Sequence, residues 1–140
     1  MKPDLYQTDP NFWYKKTAKA LRNKDIEQLD WEIIAEEIED IRRSEKRVLD
    51  SYVQRLLEYL LKLELWSSEV DRCQRGWEAE VRNLRNQIRR IIKKNPSLKE
   101  YLMKEYQQNF AFAKDRMQGY FDVPDDFTIA VEKAIALRDI

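Results

Sequence analysis

The sequence predicts an all-α fold: a single bundle of four to five helices around one long central helix, with a candidate bend near Ser44. Two observations carry that reading. The stretch from Leu29 to Trp66 contains neither Gly nor Pro and keeps one helical apolar stripe almost throughout. Across the 140-residue chain, two Gly and four Pro stand against 43% apolar and 37% charged residues, which leaves little material for hairpin turns and much for amphipathic helices. One core is the default at that length, so residues 1–140 are read as one domain.

A first helix starts at Asp9, whose carboxylate can accept from first-turn amides, with Pro10 where a missing N–H does no harm. It runs to about Asn23 and places Trp13, Thr17, Ala20 and Leu21 on one side. Residues 25–29 connect it to Asp30, a cap for the long helix, and Leu29 and Ile34 are spaced for a hydrophobic staple.

The long helix carries Ile34, Ile38, Ile41, Val48, Tyr52, Leu56, Tyr59, Leu63 and Trp66 at steps of three and four, with one gap occupied by Glu45. A continuous helix here spans roughly 55 Å, far beyond the ~14 Å radius of gyration of a compact domain this size, so it bends near 43–46 or projects. After Val48 the apolar surface widens to Leu49, Val53, Leu57, Leu60, Leu61 and Leu65, which places the centre of the core in this half.

Ser67 and Ser68 interrupt the pattern, and a third helix becomes convincing at Trp77 with Val81, Leu84, Ile88 and Ile91. Asn95 and Pro96 stop it. Ser97 with Glu100 reads as a capping box for a fourth helix carrying Leu98, Leu102, Tyr106, Phe110, Ala113, Met117 and Tyr120, with Gly119 marking its end. A last short helix, roughly 126–137, lays Phe127, Ala130, Ala134 and Leu137 on the bundle.

The absence of histidine removes the commonest general base and zinc ligand, and the two glycines are too far apart for a phosphate-cradling loop. No catalytic, cofactor or metal site is expected. Glu36, Glu37, Glu39 and Asp40 read as a solvated face, Cys73 as an ordinary free thiol, and the four tryptophans as core or helix-end packing. With no apolar run long enough to span a bilayer and no secretory signal pattern, the chain is expected to be cytoplasmic.

Net charge is zero, but its distribution is uneven: acidic residues fill 28–41 and basic residues dominate 72–94. Arg82, Arg85, Arg89 and Lys93 lie at spacings of three and four beside the apolar seam. Their expected use is internal pairing with the acidic turns or simple solvation; the alternative is a track for a phosphate backbone.

The segment from Leu29 to Trp66, followed by RGWEAEVRNLRNQIRRII and PSLK and preceded by LYQTDPNFWYKKTAKALRNKDIEQLD, resembles the bacterial, largely cyanobacterial family called domain of unknown function 29, DUF29, over nearly the whole chain. The resemblance implies a small all-α protein with no established activity. Members often carry a histidine where this chain has Tyr59, so no role of that histidine transfers. The motif-like residues Glu36, Glu37, Ser44, Glu45 and Arg47 are expected to form a polar patch at the bend, with Lys62 and Trp77 near the other end. The expectation that follows is a non-enzymatic interaction protein, self-associating through the exposed part of the long helix, with nucleic-acid binding as the rival.

Overall fold

A computed structural model of the chain describes residues 4–136. Six α-helices and one 3-10 turn account for its regular structure, and there is no strand among the described residues. The chain divides into two compact units, residues 1–43 and 44–140. The helix α3, Trp31–Leu65, begins in the first and ends in the second, with no interruption at 43–46.

In the first unit, α1 (Leu5–Thr8) precedes α2 (Pro10–Arg22), a turn of helix that the sequence pattern does not announce. Asp9 joins them: its amide donates to Leu5 O at 2.8 Å and its Oδ1 accepts from Phe12 N at 3.2 Å, ahead of Pro10 as expected. Trp13 sits edge-on between Tyr6 and Tyr14, with ring centres 5.0 and 5.6 Å away. The exit from α2 is a Schellman turn, with Asp25 N donating to Ala20 O and Lys24 N to Leu21 O. Its left-handed position holds Lys24 at φ 56°, where glycine is the usual occupant. A 3-10 turn, Ile26–Gln28, then leads to Asp30, whose Oδ1 caps α3 by accepting from Ile33 N at 3.2 Å.

The second unit holds the core. The later part of α3 buries Leu49, Val53, Leu56, Leu57 and Leu61, and α4 (Ser67–Lys94) adds Val81, Leu84, Ile88 and Ile92. The helix α5 (Leu98–Met117) adds Leu98, Leu102, Tyr106, Phe110, Ala113 and Met117. Two sequence expectations need correction at these boundaries. The break before α4 is Trp66 alone, and the helix resumes at Ser67, ten residues before the strong seam, because half-buried Val70, Cys73 and Trp77 already form a thin stripe. Ser97 makes no side-chain capping bond; the turn of Asn95 and Pro96 supplies carbonyls instead, to Leu98 N at 2.9 Å and Lys99 N at 3.1 Å.

Gly119 follows the end of α5 as expected, without a left-handed conformation: the last turn simply tightens. The final helix is shorter than expected, α6 (Val131–Ile135), because residues before it run extended and are tied down by side chains. The Gln118 amide grips Val123 at both N–H and C=O, the Tyr106 hydroxyl donates to Ile129 O at 2.6 Å, and Lys114 Nζ donates to Asp125 O. Ala134 and Ile135 are fully buried, Ala130 is exposed, and Leu137 lies outside the described residues.

Leu56→Ala should destabilise the chain by about 2–5 kcal/mol and the half-buried Leu60→Ala by less, read from chemical denaturation midpoints. Gly76 is exposed within α4, and a Cβ there meets nothing within 4 Å, so Gly76→Ala should raise stability by about 0.5–1 kcal/mol in the same assay.

Candidate interaction surface

The first unit leaves many of its apolar side chains open and others, Trp13, Ile33 and Ile34 among them, half-buried. Among its described residues only Ala20 is buried, while Phe12, Tyr14, Leu21, Ile26, Trp31, Ile38 and Ile41 are all exposed. Trp31, Ile34, Ile38 and Ile41 recur at steps of three and four, so they form one stripe on α3. Trp31 is 58% exposed, and Ile38 and Ile41 are each 60% exposed. Helix-end packing therefore does not describe Trp31. On the flank toward α2, half-buried Glu37 accepts from the Tyr14 hydroxyl at 3.1 Å. Beside the stripe Arg42 pairs with Glu39 at 3.3 Å, and on the opposite face of the helix Arg43 pairs with Asp40 at 2.9 Å, each pair lying along the helix and open to water.

The basic residues of α4 do not act as one surface. Arg82 and Lys93 are exposed, whereas Arg85 and Arg89 are half-buried. Arg85 donates from Nε to Ala134 O at 2.8 Å and from Nη2 to Lys133 O at 3.2 Å, capping the last carbonyls of α6. Burial, with neighbouring Arg89 adding to it, holds its guanidinium below the ordinary arginine value. Arg85 thus directs its Nε and one Nη2 hydrogen to backbone carbonyls of α6, where the sequence pattern offers acidic side chains or a phosphate track. Further along, Arg89, Arg90, Lys93 and Lys99 are among the described residues that surround a depression of about 660 Å³.

The motif-like residues are separated by what each one touches. Glu36, Ser44 and Arg47 are exposed, Glu45 is half-buried, and Glu37 is taken by Tyr14. Lys62 and Trp77 do meet: the Lys62 ammonium lies 4.6 Å from the Tyr59 ring centre and 5.8 Å from that of Trp77. Trp77 stacks on Trp66 at 5.9 Å, and Phe121 stacks on the same Trp66 at 5.3 Å. Tyr59, at the position where family members often have histidine, is therefore part of a cation–aromatic contact.

Sequence reasoning missed a polar ladder between α3 and α5. Asp50 accepts from the Tyr101 hydroxyl at 2.6 Å and from Asn109 Nδ2 at 2.9 Å; Gln54 donates to Asn109 Oδ1 at 2.8 Å. Arg116 then bridges the Gln54 amide oxygen and Glu58, the latter at 3.1 Å. Asn109 is only 3% exposed and occupies a position within the apolar face of α5. The signal was available as Lys46, Asp50, Gln54 and Glu58 at strict four-residue spacing, with the Lys46 ammonium 4.9 Å from the Tyr101 ring centre. Among the described residues, no group of three or more Cys, Asp or Glu side chains is arranged to hold a metal ion.

Fold and surface together define a small all-helical protein with a closed core in one unit and an open apolar stripe in the other. The chain belongs to the DUF29 family: the model of that family, domain of unknown function DUF29, matches residues 5–137 and so crosses both units. No curated protein and no solved structure gives a match. No described helix is long and apolar enough to cross a membrane.

Two tyrosines, half-buried Tyr101 and buried Tyr106, set an alkaline limit. Burial first, and then the bond to Asp50, push the Tyr101 hydroxyl up from its ordinary 10.0; burial, with Glu132 adding, does the same for Tyr106. The folded chain keeps these protons to higher pH than the unfolded chain, so the stability they contribute is present below about pH 10 and is lost as pH rises beyond it. Thermal melts should show a steeper fall above pH 10 for the natural chain than for Tyr101→Phe.

Proposed function

We propose that this protein is a non-enzymatic protein-interaction module whose docking face is the Trp31, Ile34, Ile38 and Ile41 stripe of α3. The observation that carries this is the contrast inside the first unit, seven large apolar side chains in water against one buried alanine. Exposed apolar side chains are ordinary when scattered, but a stripe on a helix that is already capped and folded is a surface waiting for another helix. The flanking Glu39 and Arg42 are exposed and so suit a polar rim.

A second reading keeps the basic end of α4. The gathering of Arg90 and Lys93 with Arg89 and Lys99 around one depression supports nucleic-acid or other polyanion binding there, with Arg82 outside the depression and Arg85 bonded to carbonyls of α6.

The two readings respond oppositely to salt. The double variant Ile38→Asp, Ile41→Asp should keep its helical circular dichroism and lose the partners that the natural chain retains from lysate, at low and high salt alike. Oligonucleotide gel shifts should show no binding at physiological salt. A shift that weakens steeply with salt and vanishes in Arg90→Ala, Lys93→Ala would favour the second reading, because phosphate contacts release counterions.

A further inference from the structure

We infer that the occupant of the α3 stripe is a second copy of this chain, docked antiparallel about the Ile38 and Ile41 positions; the inference rests on the interaction reading above and gives it a partner. The order of charge on α3 selects the direction. Asp30, Glu32, Glu36, Glu37, Glu39 and Asp40 come first, then Arg42 and Arg43. A parallel pair in register sets the acidic block against itself within a Debye length of about 8–10 Å. An antiparallel pair sets it beside arginines and opposes the two helix dipoles.

Side-chain placement around the stripe agrees. At about 100° per residue, Arg42 lies about 40° round from Ile38 and Glu39 about 100° on the same side. Glu37 is on the other side, where Tyr14 already holds it. With Ile38 of each copy beside Ile41 of the other, Arg42 comes between Ala35 and Glu39 of the other copy, and the two-fold axis repeats the contact. The in-chain Arg42 and Glu39 pair is exposed on both sides, so sharing those groups across the interface gives up little. The contact is isologous and closes on itself, which limits assembly to a pair.

A second constraint favours a copy of the same surface. A segment of about forty residues rarely closes a core unaided. This unit has an apolar stripe whose own image supplies the missing cover.

Light scattering across the micromolar range should give twice the chain mass, and Ile38→Asp should halve it with circular dichroism unchanged. Arg42→Glu alone and Glu39→Arg alone should each shift the dimer toward monomer, and mixing the two variants should restore it, because only the mixed pair has opposite charges at both contacts. Spin labels on Glu32→Cys, in a Cys73→Ser background, should sit some fifteen residues apart along the axis, roughly 22 Å at 1.5 Å per residue. A parallel pair would bring them to a helix spacing of about 8–10 Å and would overturn the inference. So would a monomer at every concentration, or a dimer indifferent to Ile38→Asp. In the monomer case, loss of lysate partners in the Ile38→Asp, Ile41→Asp variant would leave the interaction reading standing with a different occupant.

Discussion

The later part of α3 is apolar on most of its circumference, and the second unit is what that single fact requires. A helix that buries Leu49, Val53, Leu56, Leu57 and Leu61 cannot meet water on any broad side, so the chain that follows must surround it. The single-residue break at Trp66 and the tight turn at Asn95 and Pro96 return the chain to it quickly, leaving α4 and α5 as two walls. Both are too narrow to finish the enclosure. The extended residues after α5 and the short α6 complete it, held by Tyr106, Gln118 and Arg85 through main-chain carbonyls.

The polar ladder fixes how two of those walls meet. Leucine-rich faces tolerate sliding, whereas Asn109, buried and bonded to both Asp50 and Gln54, is satisfied in one register of α5 against α3. Tyr101 and Arg116 extend the same selection toward the ends of the seam. Removing Asn109 would take one of two donors from Asp50 and leave the Gln54 amide nitrogen without its acceptor on a partly buried surface, which is the costly direction for a hydrogen-bonded network.

Periodicity made the helices legible and was silent about contacts between them. Asp9, Asp30 and the α5 stripe from Leu98 to Met117 occupy the places their spacing assigns. Boundaries failed where an unexpected group did the capping. The turn after α2 uses Lys24 in a conformation normally marked by glycine, and the start of α5 uses main-chain carbonyls, although Ser97 and Glu100 match the capping motif. The candidate surface was half legible: Ile34, Ile38 and Ile41 show in the pattern, but a stripe in sequence looks the same whether covered or open. The fate of Arg85 was invisible, since its acceptors are carbonyls about fifty positions away that carry no side-chain signal.

An open stripe persists only if its helix stands without being packed on that side, and the local chemistry of α3 meets this condition. The Asp30 cap contributes about 1 kcal/mol. The Glu39 and Arg42 pair and the Asp40 and Arg43 pair add a few tenths each. The acidic first turn favours the positive end of the dipole. Unbroken continuation into the buried stretch removes the nucleation barrier that isolates short helices. The helix can therefore be formed before anything covers Ile38 and Ile41, and covering them requires no further backbone ordering. What association gains from those side chains is then opposed mainly by lost rigid-body and side-chain freedom, the condition under which a narrow apolar stripe suffices for recognition.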